Sequence, residues 1–290
     1  MPRIDAHQHF WQPARGDYGW LAADDPALVP LQRDFLPADL APVLRVHDVA
    51  RTVLVQAAPS VAETEFMLAL AARHDFVGGV VGWVDLAAPE SPAQVERLAS
   101  QPALKGLRPM LQDLPDPDWI AHAPRPEAVR AMLAHGLRFD ALVKPPQLPA
   151  LRRFVEAWPT LPVVIDHAAK PPLAAGWDDA PMQAWRREMA ALAAHSQVTC
   201  KLSGLLTELA PEDRGSCARI LERLRPVADA LLAWFGPRRL MWGSDWPVLT
   251  LAAGYDEWVA VADALLMPLA IDEREQVLHG TARRFYGLAG

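Results

Sequence analysis

Two histidines in the segment Ile4-Asp5-Ala6-His7-Gln8-His9-Phe10-Trp11 set the chemical problem posed by this chain. Side chains alternate faces along a strand, so His7 and His9 project together, with Asp5 expected below them on the same face. Paired imidazoles can grip one metal ion or one polarised substrate oxygen. Further polar residues stand where apolar runs end. Gln56 closes one such run, Arg108 lies in Lys105-Gly106-Leu107-Arg108-Pro109, and Asp166 and His167 follow Val163-Val164-Ile165. Lys201 and Ser203 share a parity with Thr199, and Asp245 lies in Trp242-Gly243-Ser244-Asp245-Trp246-Pro247. Each has an ordinary alternative. His167 alone could be a hydrogen-bonded core histidine, Arg108 a structural ion-pair partner, Lys201 a surface residue and Asp245 a helix cap. Those alternatives leave the coincidence unexplained. Three imidazoles and a carboxylate, His7, His9, His167 and Asp245, are also a ligand set for one divalent metal such as zinc, although a metal-free site remains an alternative.

The elements that must position these residues are short apolar runs over 3–10, 52–57, 80–86, 104–110, 139–144, 163–167, 198–203 and 240–245. Between them lie helical patterns at 62–74, 91–100, 125–134, 148–158, 182–195, 216–235 and 271–286. Strand and helix in alternation imply a parallel sheet, and eight such units close into a single-domain α/β (β/α)8 TIM barrel spanning 1–290. In that architecture chemistry sits at the C-terminal ends of the strands, where the polar residues fall. The 28 prolines cluster after strands and at helix starts and read as loop punctuation. The Pro- and Asp-rich excursion at 12–39 is expected to fold over the barrel mouth.

Composition narrows the class. Of 290 residues 51% are hydrophobic and 22% charged, as in ordinary globular proteins. A formal charge of -7 argues against nucleic acid as a partner. No run approaches a membrane span, and no leader-like h-region opens the chain, so a cytoplasmic enzyme with reduced Cys200 and Cys217 is expected. There are 11 tryptophans against 3 tyrosines. Indole faces stack on sugar C–H faces, which makes Trp11, Trp20 and Trp246 candidate walls of a sugar pocket.

Taken together and in order, Asp5-Ala6-His7-Gln8-His9-Phe10-Trp11, Gly106-Leu107-Arg108, Ile165-Asp166-His167, Cys200-Lys201-Leu202-Ser203-Gly204 and Trp242-Gly243-Ser244-Asp245-Trp246-Pro247 resemble the amidohydrolase superfamily. Within it, they are most similar to the sugar lactonases typified by L-fuconolactonase and L-rhamnonolactonase. The resemblance implies hydrolysis of a small sugar-derived lactone to its aldonic acid. His7, His9 and His167 would surround the carbonyl, Asp245 would handle protons, and Arg108, Lys201 and Gln56 would meet the substrate. It also implies zero or one metal, because Lys201 stands where binuclear members carry a further histidine. Two other activities on the same scaffold are a zinc-dependent decarboxylase of the aminocarboxymuconate-semialdehyde type and hydrolysis of a pyrone dicarboxylate.

Overall fold

Each of the eight expected strands forms, and several stop short of the polar residues that follow them. The computed structural model describes residues 2–21 and 25–289. Its strands are β1 (Arg3–Gln8), β2 (Val49–Val55), β3 (Val77–Gly82), β4 (Leu104–Leu107), β5 (Arg138–Ala141), β6 (Val163–Ile165), β7 (Val198–Leu202) and β8 (Leu240–Trp242). They pair in parallel in chain order as one eight-stranded sheet. Gln56, Arg108, His167 and Asp245 all lie just past the last residue of their strands. They leave the ladder because their side chains serve the mouth of the barrel, not its wall.

The sheet closes between its first and last strands, and the closing bonds come from the functional segments. Asp245 N donates to His7 O at 2.8 Å, and His9 N donates to Trp246 O at 2.7 Å. Gly243 permits that approach, since a Cβ there would lie 2.9 Å from the His7 Cβ. The result is a (β/α)8 barrel.

Most helices fall within about three residues of expectation. Leu148–Ala157 buries Leu148, Leu151, Phe154 and Val155, a stripe at helical spacing that faces the sheet. Cys217–Phe235 starts where the Ser216 hydroxyl accepts from Arg219 N and ends at Gly236. The pattern at 271–286 is not one helix. It divides into Ile271–Glu275, a π-helical turn at Gln276–Gly280, and Thr281–Tyr286. The wide turn lets Val277, Leu278, Ala282 and Tyr286 all bury against the barrel base. The single turn at Trp119–His122 and two longer helices, Pro37–Val46 and Tyr255–Leu266, were not foreseen. The second is apolar over much of its surface and shows little periodic contrast.

The excursion at 12–39 carries two 3-10 turns, Pro13–Arg15 and Pro26–Leu31, and is pinned by reciprocal main-chain bonds between Trp11 and Phe35. Its residues 22–24 lie outside the described residues. One apolar cluster fills the space between sheet and helices. A second fills the lower lumen with Ile4, Ala6, Val53, Val55, Val81, Val164 and Met241, closed below by Tyr286 and Leu288. Among the described residues, no helix is long and apolar enough to cross a membrane.

Candidate active site

A register shift in β1 builds the first part of the site. Asp5 pairs with Thr52 and Gln8 with Leu54, so β1 carries an extra residue between them. Such a bulge re-aims side chains. It places Ile4 and Ala6 in the lumen and then turns His7 and His9 toward the same cavity. Asp5 therefore does not share their face, contrary to expectation. Its carboxylate accepts from Ser244 N at 2.8 Å, His7 N at 3.2 Å and the Tyr255 hydroxyl at 3.0 Å. Asp5 braces the closing seam from outside the cavity.

The three imidazoles converge on one carboxylate oxygen. Asp245 Oδ1 lies 3.2 Å from His9 Nε2, 3.7 Å from His7 Nε2 and 3.8 Å from His167 Nε2. His167 sits in a left-handed run with φ of 52° at His167, 49° at Ala168, 57° at Ala169 and 51° at Lys170, and Asp245 has φ 61°. Non-glycine residues in this region cost of order 1–3 kcal/mol each and persist only where surroundings over-determine them. Here the Trp185 indole donates to Ala168 O at 2.8 Å, and the Ser203 hydroxyl meets His167 Nδ1 at 3.0 Å. Gly204 lies flat against the imidazole. A Cβ there would fall 2.3 Å from His167 Nδ1.

Below the cluster is a layer of buried charge. Lys201 Nζ lies 2.7 Å from Asp140 Oδ2, 3.0 Å from Asp166 Oδ1 and 3.1 Å from His7 Nδ1. Arg108 reaches Asp166 Oδ2 at 3.3 Å and His7 Nε2 at 3.4 Å, and donates to Gln56 O. A neutral imidazole has one lone pair, so His7 accepts from only one of these cations. Lys201 is the nearer, which puts the ring proton on Nε2, facing Asp245. The other tautomer, with Nδ1–H directed at Asp166 Oδ1 3.4 Å away, would free Nε2 as a ligand. His9 has no such choice. Its Nδ1 is 2.8 Å from Val55 O and must donate, so Nε2 presents a lone pair to the cavity.

Burial sets the protonation states. It pushes His167 down to about 4 and, with Lys201 beside it, holds His7 well below the usual imidazole range. Burial also pushes the Asp245 carboxyl upward, but the surrounding imidazoles of His167, His9 and His7 outweigh it and hold the group below the usual carboxylate range. In the lower layer burial raises Asp140, whereas Lys201 and His7 overcome burial at Asp166 and keep it ionised. At neutral pH the mouth holds neutral His7 and His167 around an anionic Asp245.

Above them is a cavity of about 130 Å³, bordered by His9, Trp20, Arg108, His167, Lys170 and Asp245. Four other expected substrate contacts do not border it. Lys201 and Gln56 are fully buried, Lys201 beneath His7 and Gln56 donating to Arg108 O at 2.6 Å. Trp11 gives its N–H to Leu31 O and Arg33 O, and Trp246 packs edge-on to Phe10 and Phe35. These indoles support the loop at 12–39 from behind, because their faces are already covered by other rings. Trp20, whose N–H donates to Ala57 O at 2.7 Å, does reach the cavity. Asp140 was missed by the sequence reading, and Asp166 was noted without a role. The available signal was an acid at an inward-facing strand position opposite Lys201.

His7, His9 and an Asp245 oxygen lie close enough together to hold one ion, two imidazoles and one carboxylate of the kind that holds a catalytic zinc while leaving a position open, and His7 serves there in its second tautomer. The edges of 3.7 Å and 3.2 Å from Asp245 Oδ1 to His7 and His9 suit metal–ligand bonds of about 2.0–2.2 Å.

A sequence model of the amidohydrolase family matches residues 4–288. The chain belongs to that family. Among curated relatives, an L-fucono-1,5-lactonase of Burkholderia ambifaria is 47% identical, over 98% of this chain and 95% of that protein. An L-fucono-1,5-lactonase of Burkholderia multivorans is 39% identical, over 99% of this chain and 96% of that protein. A crystal structure of an amidohydrolase from Burkholderia multivorans with bound zinc superposes with a TM-score of 0.89 at 38% identity, covering all of both chains.

Proposed function

We propose that this amidohydrolase is a sugar lactonase that opens L-fucono-1,5-lactone or a closely related aldonolactone to the aldonic acid. The observation that carries this reading is the convergence of three imidazole Nε2 atoms on Asp245 Oδ1 at the floor of a cavity about one sugar ring in size. The lactonase relatives, similar over the full chain, favour it over the decarboxylase and the pyrone hydrolase.

Opening a lactone requires attack of water on the carbonyl carbon, a place for the oxyanion, and a proton for the departing ring oxygen. Asp245, ionised at neutral pH, takes the water proton and returns it to the ring oxygen as the acyl C–O bond breaks. The Arg108 guanidinium, joined in the metal-free site by the His7 Nε2–H, provides donors at the carbonyl oxygen, where negative charge develops. Asp245 is a weak base, and a divalent ion held by His7, His9 and Asp245, with the His7 Nδ1–H then directed at Asp166, would acidify the attacking water and polarise the carbonyl. Lys201 supports from below, fixing the His7 ring through its Nδ1.

The test is acid release from an aldonolactone panel followed with a pH indicator, with elemental analysis of the untreated protein. Turnover of L-fucono-1,5-lactone and about one zinc per chain are expected. Silence across the panel would remove the lactonase reading. Full activity at less than about a tenth of an equivalent of metal would remove the zinc alone.

A further inference from the structure

Next to the catalytic cavity lies a larger groove of about 570 Å³ that the chemistry above does not use. Trp20, Met110 and Asp113 border both spaces, so the two are continuous. We propose that this groove holds a second, neutral sugar ring, and that the site also opens the lactones of disaccharides. The inference rests on the lactonase reading and extends its substrate class.

Three observations converge on this occupant. The first is room, since the inner cavity of about 130 Å³ suffices for one ring and the outer groove is several times larger. The second is the lining. Trp83 and Trp119 are half-buried along the groove, and among the described residues their indole N–H groups have no protein acceptor. A half-covered indole with a free N–H offers a sugar ring both a stacking face and a donor. The third is charge. Asp17, Asp85 and Asp113 line the groove. Arg15 pairs with Asp17 at 3.0 Å and Lys144 with Asp113 at 3.4 Å, while among the described residues the Asp85 carboxylate receives only the Ala87 N–H at 3.0 Å. The balance is acidic. It accepts hydroxyl donors and repels an anionic extension such as a phosphate or a second carboxylate. The lactone ring would enter toward Asp245 and His167, leaving the glycosidically attached ring between Trp83 and Trp119. The reaction is unchanged. Water adds across the ester, the acyl C–O bond breaks, and the glycosidic bond stays intact.

The experiment pairs each of several aldonolactones with its glycosylated counterpart, for example D-glucono-1,5-lactone with cellobiono- and lactobiono-1,5-lactone. In at least one pair whose simple member turns over, the disaccharide lactone is expected to show an equal or higher kcat/KM. Trp83→Ala with Trp119→Ala should raise KM for that disaccharide lactone about tenfold and change the simple lactone less than about twofold, with Trp119→Phe restoring part of the loss. The inference is overturned if every disaccharide lactone is more than about a hundredfold poorer than its simple counterpart. Equal losses on both members of a pair overturn it too, because they report a structural role for the tryptophans. If no simple lactone turns over, the lactonase reading fails first and takes this inference with it.

Discussion

The lumen of this barrel contains two layers built on opposite principles. Near the base, Ile4, Ala6, Val53, Val81, Val164 and Met241 pack against each other with no polar atom among their side chains except the Met sulfur, and Tyr286 closes the bottom. One layer higher, Lys201, Asp140, Asp166, Arg108 and His7 occupy the same lumen with almost no exposure. The lower layer stabilises by removing apolar surface from water. The upper layer costs desolvation, and even well-paired buried ions rarely gain more than a hydrophobic substitute would. A chain that retains such a layer uses it for something other than stability. Here the charges end directly beneath His7, and Tyr286 joins the layers by donating to Asp140 Oδ2 at 2.6 Å.

The largest effect should separate chemistry from folding. Asp245→Asn is expected to lower kcat by about 10²–10⁴-fold while the thermal unfolding midpoint stays near that of the parent. Near-parental turnover would take Asp245 out of the mechanism. Next comes the keystone of the upper layer. Lys201→Met removes the cation between two buried carboxylates, leaving Asp140 with the Tyr286 hydroxyl and Asp166 with Arg108, and should cost about 3–5 kcal/mol in urea unfolding, with activity falling as His7 loses its anchor. A stable, active Lys201→Met protein would contradict the proposed separation of roles. In the lower layer, Met241→Ala should cost about 2–5 kcal/mol through the cavity it leaves. Its kcat should remain close to parental at temperatures where it is folded, and a selective loss of kcat would show that the layers are coupled.

The smallest effect concerns a buried carboxyl beside the lumen. Glu63 accepts from Ala57 N at 3.1 Å and Ala58 N at 2.6 Å, holding the loop that follows β2. Burial pushes it up to about 7 from an ordinary 4.5, although those main-chain bonds pull the other way. An acid with a raised folded-state value binds its proton more tightly in the fold. Its stabilising contribution is therefore complete below about 4.5 and is lost as pH rises through 7, by at most about 3 kcal/mol. Relative to Glu63→Gln, the parent should thus lose stability between pH 5 and 8 in denaturant titrations. A flat difference would show that Glu63 is ionised throughout.

Much of this was legible in the residues. Eight apolar runs, most with a polar residue at or near the C-terminal end, give strands, their order and the end of the barrel that carries chemistry, because a parallel strand buried on both faces reads as a continuous apolar stretch. His9, His167, Asp245, Arg108 and Trp20 were all found at the cavity they were expected to border. Asp5 misled, since strict alternation along a strand cannot anticipate a bulge, and a one-residue slip exchanges the faces. Trp11 and Trp246 misled because closeness in sequence to a reacting group does not say which side of the wall a ring occupies.

Local rules act over a few residues. They set which segments become strands, where prolines and glycines break them, and which side chains carry acid, base or ligand chemistry. Partnership across the fold obeys no such range. Lys201 meets His7 across 194 positions and Asp140 across 61, and only closure of the sheet turns a strand lysine into the support for a histidine at the other end of the chain. The same closure decides protonation, because burial and neighbouring charge, not residue type, leave Asp245 anionic and His7 and His167 neutral at the mouth.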